Sequence, residues 1–75
     1  MKNAIRKTAG EIRKYDWIGV GGTAKRPERF AKVRSVWNGE AFGGTAGSIA
    51  VFTDGTVGRV FHAFTSADAP IWIAR

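Results

Sequence analysis

Apolar residues recur at two different periods along this 75-residue chain. From Lys2 to Tyr15 the spacing is helical. Ile5, Thr8, Ala9, Ile12 and Tyr15 recur at steps of three and four and gather on one face of a helical wheel. Lys2, Arg6 and Arg13 flank that face on one side, and Lys7 and Lys14 lie on the far side. Gly10 falls on the polar side, where it costs about 1 kcal/mol relative to alanine. The pattern predicts an amphipathic helix over residues 2–15, ending where Asp16 and the glycine run begin.

Beyond Asp16 the period shortens to that of strands. Trp17 to Val20 is a first short candidate. Residues 29–37 (RFAKVRSVW) alternate Phe30, Lys32, Arg34 and Val36 against Ala31, Val33, Ser35 and Trp37. The same stretch has a helical alternative. Pro27 and Glu28 suit a first helical turn, Phe30, Val33 and Trp37 fit helical spacing, and Gly39 would stand just past its end. Strand is the favoured reading, because Arg26 is no capping residue and Val33, Val36 and Trp37 prefer sheet. Asn38-Gly39 then suggests a tight turn with residues 40–45 returning as a partner strand.

Residues 49–64 carry the clearest local signal. Ile49–Thr53 and Thr56–Phe64 are β-rich arms around Asp54-Gly55, the pair expected of a two-residue hairpin loop. That loop would set Thr53 against Thr56 and Val51 against Gly58. Ile49, Val51, Val60, His62 and Phe64 then share one face, and Phe52, Val57, Arg59, Phe61 and Ala63 the other. Both faces are apolar, so the hairpin is expected to be central and covered twice, by the helix and by more sheet or a second subunit. Ile71–Ala74 is the last strand. The expected fold is a single α+β domain, residues 1–75. An N-terminal amphipathic helix precedes a small antiparallel sheet of about five short strands, curled or closed as a small barrel.

Length and charge sharpen this picture. A chain of this size buries only roughly 60% of its unfolded surface, and without cysteine neither a disulfide nor a thiolate metal site adds stability. A homodimer is the expected remedy. The formal net charge is +6, unevenly spread. Residues 1–34 hold ten basic side chains against three acidic ones, a balance of +7, and residues 35–75 hold two against three, a balance of −1. Such asymmetry calls for an anionic partner. No apolar run approaches the ~20 residues of a membrane span, and no apolar segment of signal-peptide type follows the charged start. The basic 2–15 segment has too thin an apolar face for an interfacial helix. A cytoplasmic location, in the source cell or a host, is the expectation.

Little in the sequence supports catalysis. The one histidine, His62, sits among phenylalanines, and no spacing ties Ser35, Ser48 or Ser66 to it as a nucleophile–base pair. Six scattered carboxylates and one histidine give no metal-ligand spacing, so neither metal nor cofactor is expected. The run Gly19-Val20-Gly21-Gly22-Thr23-Ala24-Lys25-Arg26 is not a phosphate loop, since its lysine stands three places past the last glycine and is followed by Arg-Pro. Nor is it a dinucleotide fingerprint, since position 24 is alanine and no βαβ unit surrounds it.

The run instead joins two basic segments as a hinge bearing charge. Lys2, Arg6, Arg13, Lys25, Arg26, Arg29, Lys32 and Arg34 are the expected anion-binding residues, with Trp17, Phe30 and Trp37 as candidate stacking rings. The expected function is non-enzymatic nucleic-acid binding. The alternative is a small inhibitor or adaptor of the kind viruses and mobile elements encode, whose basic face docks on an acidic surface of a nucleic-acid-handling complex in a host.

Overall fold

Among the described residues, six antiparallel strands form one sheet in the order β1-β6-β2-β3-β4-β5. The strands are β1 (Ile5–Thr8), β2 (Trp17–Val20), β3 (Arg29–Asn38), β4 (Ile49–Gly55), β5 (Gly58–Phe64) and β6 (Pro70–Ala74). The structure is a computed structural model describing residues 4–23 and 25–74. The helical content among these residues is two short 3-10 turns, Ala9–Glu11 and Gly39–Phe42. The expected α+β class is therefore corrected to an all-β fold.

The N-terminal helix is the main correction. Ile5–Thr8 is an edge strand, with Ile5 opposite Ile73, Arg6 opposite Trp72 and Lys7 opposite Ile71. Two causes favour strand here. β6 offers a backbone ladder that a lone, glycine-interrupted helix lacks, and Ile5, Thr8 and Ile12 are β-branched. Thr8 then starts a turn, donating from its backbone N (2.9 Å) and its Oγ1 (3.0 Å) to Glu11 Oε2. The apparent helical stripe is a coincidence of spacing. Ala9 and Ile12 reach the core, while Ile5 and Tyr15 remain 58% and 54% exposed.

Residues 29–38 form a strand, so the helical alternative falls. The expected return strand at 40–45 is also replaced. Asn38 Oδ1 accepts from Glu40 N at 3.0 Å and caps a 3-10 turn instead of a type I′ loop, and the chain rejoins the sheet only at Ile49.

The 49–64 hairpin is present with a different register. Gly55 faces Gly58 across a Thr56-Val57 loop, and Val51 faces His62 in place of Gly58. The displacement is even, so each side chain keeps its expected face. Asp54 explains the choice. It stands opposite Arg59, whose Nε is 3.9 Å away, and accepts from Arg34 Nε at 2.7 Å, so it serves the ladder rather than the loop. The hairpin is not central, because β5 is an edge.

Register defines the two faces, since residues directly opposite one another point the same way. Ile18, Ala31, Val33, Val51, Ile71 and Ile73 point inward and are buried, and Ala9 and Ile12 close one end. Ile49 and Phe64 pack on this cluster, so the sheet curls until its β4–β5 half lies over its β2–β6 half. Among the described residues no ladder joins the edges β1 and β5, and the curl stays open there. Where it bends, Arg34 is an extra residue in β3 between the Val33–Thr53 and Ser35–Phe52 pairs, a β-bulge. The Cα radius of gyration, 11.5 Å, matches the roughly 11 Å of a compact chain this long.

Candidate functional site

The outer face is the notable surface. Trp17 stands opposite both Lys32 on β3 and Ala74 on β6, and Trp72, two residues from Ala74, stands opposite Arg6 on β1. Arg6, Trp72, Trp17 and Lys32 therefore all project from the side of the sheet opposite the core. They span three strand spacings of about 4.8 Å each. Cations sit on the rings. Arg6 Cζ is 5.2 Å from the Trp72 centroid, and Lys32 Nζ is 5.9 Å from Trp17 and 5.7 Å from Tyr15. Lys14 Nζ is 5.2 Å from the other contact of that group, the Tyr15 ring. Each such contact contributes roughly 0.5–1 kcal/mol at an exposed site.

Tyr15 reaches this face through an unusual backbone. Its φ is 73°, the one positive value at a non-glycine position among the described residues. A bulky residue in the left-handed region is strained. Hydrogen bonds on both sides hold it there. Tyr15 N donates to Val33 O at 2.9 Å, Val33 N donates to Asp16 O at 2.7 Å, and Arg13 N donates to the buried Asp16 carboxylate at 2.8 Å.

The expected site residues fall into separate groups. Arg6 and Lys32 belong to the outer face, as does Phe30, which stands opposite Gly19. A Cβ on Gly19 would lie 2.8 Å from Pro27 and 3.2 Å from the Trp72 Cβ, so glycine lets the loop and the ring close over this strand. Lys25 and Arg26 lie at the tip of the β2–β3 loop. That loop is held by reciprocal backbone bonds between Thr23 and Arg26, both 3.1 Å. Arg13 lies in the turn before β2. Arg34 is already engaged, and its contact with Asp54 holds that carboxyl below its usual range and raises the guanidinium. Arg29 projects toward the inner side, opposite Val20. Lys2 lies outside the described residues. The two expected basic stripes thus meet only through Arg6 and Lys32. Tyr15, Lys14 and Trp72 were not among the expected site residues, and Trp72 is 55 positions from Trp17 in sequence.

Trp37 belongs to a second aromatic group. Phe42, from the 3-10 turn, packs edge-on against Trp37 (5.9 Å between centroids) and Phe52 (5.4 Å), and lies 5.8 Å from Phe61. These rings cover Ala50 on the outer side of β3, β4 and β5, yet Trp37, Phe42 and Phe61 remain about half exposed.

His62 points inward and its Nε2 lies 2.9 Å from the hydroxyl of fully buried Thr53. The three serines are engaged elsewhere. Ser48 Oγ donates to Thr45 O, Ser35 Oγ accepts from Trp37 Nε1, and Ser66 Oγ accepts from Asp68 N. Among the described residues no three His, Asp or Glu side chains converge as a metal site, and no helix is long and apolar enough to cross a membrane. No protein-family model, curated protein or solved structure matches the chain.

Proposed function

We propose that the protein is a small, non-enzymatic binder of single-stranded nucleic acid and that the outer face of β1, β6, β2 and β3 is its platform. One observation carries the reading: Trp72, Trp17 and Tyr15 alternate with Arg6, Lys32 and Lys14 on one side of the sheet. Rings of this kind stack on bases irrespective of sequence, and cations between them follow the phosphates. An open face suits unpaired bases, because a duplex hides its base faces in the stack. The strained Tyr15 backbone supports the same surface, since strain that the neighbouring hydrogen bonds must sustain is concentrated at functional positions.

The test is a titration of fluorescent single-stranded and duplex oligonucleotides between about 50 and about 200 mM salt. Three cations neutralising three phosphates give a log–log slope near −2 on single strands, at about −0.7 per phosphate. The paired substitutions Trp17→Ala and Lys32→Glu are expected to abolish this binding. Absence of any binding at the lowest salt would overturn the reading.

A second reading is favoured by the Trp37, Phe42, Phe52 and Phe61 group. Half-exposed aromatic rings beside an Arg34–Asp54–Arg59 charge cluster have the composition of a protein-docking centre. On this reading the protein is an inhibitor or adaptor, and nuclease-resistant recovery of one stoichiometric partner, lost on Phe42→Ala and Trp37→Ala, is the expected result. Self-association belongs to the same proposal, because β5 leaves one side of its backbone unpaired beside these rings.

A further inference from the structure

The inner side of the sheet ends in a cleft of about 350 Å³ that the outer-face reading does not use. It opens where the edge strand β5 curls toward β2 and β6. Val20, Phe64 and Ile71 form apolar walls, Gly21 lies at one end, and Arg29 and His62 supply the polar lining. Arg29 has no ion-pair partner among the described residues, although Glu28 adjoins the same cleft. Glu28 instead lies beside Gly21, where a Cβ on the glycine would be 3.5 Å from its Oε1. The His62 ring is held through Nε2 by the Thr53 hydroxyl, which leaves Nδ1 as its second polar atom.

We propose that this cleft binds a phosphate monoester, held by the Arg29 guanidinium and the His62 imidazole. The chemistry follows from the donor set. A guanidinium fork matches two phosphate oxygens at once. A carboxylate would be satisfied by that fork alone, whereas a tetrahedral phosphate dianion still has oxygens to offer the imidazole. The apolar walls beside the two donors lower the local dielectric and strengthen both contacts relative to open water. The volume lies within the range of small-ligand pockets.

His62 reports on the site. Its pKa is held below the ordinary 6.5, first by burial and second by the Arg29 charge. A bound dianion opposes the second cause and raises it. Glu28, just before β3, and Arg29, its first residue, are the charged groups lining the cleft with His62, while the residues lining it from β2, β5 and β6 are otherwise uncharged.

The chain has a single histidine, so its ring resonances in a proton NMR titration need no assignment. Inorganic phosphate is expected to raise the His62 pKa saturably, by about one unit for a close dianion. Arg29→Gln, at an exposed position, should remove the effect while leaving the fold intact by circular dichroism. Glu28→Gln should tighten phosphate binding, and Lys32→Glu on the outer face should leave the His62 response to phosphate unchanged. A 5′-phosphorylated oligonucleotide that moves the resonance more than its 5′-hydroxyl counterpart identifies a strand end as the source. Equal effects of the two, with phosphate still saturating, identify a small free phosphomonoester. An unsaturable or absent response to phosphate, or one that persists in Arg29→Gln, overturns the proposal. Because Trp17 and Lys32 lie on the opposite face, loss of strand binding there and loss of phosphate binding here are separable.

Discussion

Thr53 Oγ1 and His62 Nε2 lie 2.9 Å apart across the β4–β5 ladder, the hydroxyl fully buried and the ring half-buried. The relationship fixes a histidine whose pKa is depressed by burial and by Arg29. A histidine depressed in the folded state binds more protons when unfolded, so its contribution to stability is present above 6.5 and lost as pH falls through the folded value. Thermal unfolding between about pH 5 and about pH 7 should therefore show stability rising with pH, above the range in which ordinary carboxylates titrate. His62→Gln should flatten the slope in that window. An unchanged slope would show that the ring is not held in its neutral form.

Ile18 and Ile5 test the corrected fold. On a helical N-terminus Ile5 would be a face residue packed on the sheet. On the observed edge strand it is largely exposed, whereas Ile18 is fully buried. Ile5→Ala should change stability by no more than about 0.5 kcal/mol. Ile18→Ala should cost about 2–5 kcal/mol, which for a domain this small approaches complete unfolding. Comparable large losses at both positions would favour the helix.

The contrast between these isoleucines shows where the sequence is legible. β2, β3, the β4–β5 pair and β6 follow from runs of β-branched and aromatic residues at period two, a signal set within each strand. The N-terminus does not, because Ile5, Thr8, Ala9 and Ile12 fit a helix and also fit an edge strand, a turn and a core contact. The deciding partner, Ile71–Ile73, lies more than sixty residues away. The loop of the last hairpin misleads for a similar reason. Asp54-Gly55 is a strong local turn signal, but Asp54 has stronger partners in Arg34 and Arg59. In the candidate site, Arg6, Trp17 and Lys32 are visible as charge and aromatic content. Trp72 joins them only through strand order, and Tyr15 only through a backbone conformation that no local pattern announces.

Tyr15 separates strain from recognition. At a φ of 73° an L-residue other than glycine is penalised by roughly 1–2 kcal/mol. Tyr15→Ala removes the ring and keeps the strain, while Tyr15→Gly removes both. The glycine variant should thus be more stable than the alanine variant by about 1 kcal/mol, after allowance for the freedom glycine adds to the unfolded chain. Both should bind single strands equally weakly. Denaturant unfolding and oligonucleotide titration on the same pair of variants provide the check, and an alanine variant as stable as the glycine one would remove the case for strain.

Asp54 limits the charge available near the platform. Its carboxylate engages Arg34 across the bulge, with Arg59 beside it. Asp54→Asn removes the negative charge and frees Arg34 toward solvent. Both groups are partly exposed, so the effect on stability should be small. Strand affinity should rise and the salt dependence should steepen by about 0.7 in slope for one additional phosphate contact. If affinity falls instead, the bulge geometry that Asp54 maintains matters more than the released cation.

Three tryptophans on two parts of the outer face allow the competing readings to be distinguished. Trp17 and Trp72 lie among the cations, whereas Trp37 packs against Phe42 beyond the bulge. Bases stacking on the platform should quench Trp17 and Trp72 and leave Trp37 bright. Single Trp→Phe variants keep an aromatic surface at each position while removing one emitter. Trp17→Phe and Trp72→Phe should each lose part of the quenching produced by a single-stranded oligonucleotide, and Trp37→Phe should increase the fractional quenching by removing an unresponsive background. The opposite pattern, with quenching carried by Trp37, would place the strand on the Phe42–Phe52–Phe61 surface. Arg6, Lys14 and Lys32 could not then supply its phosphate contacts, because all three lie around the other rings.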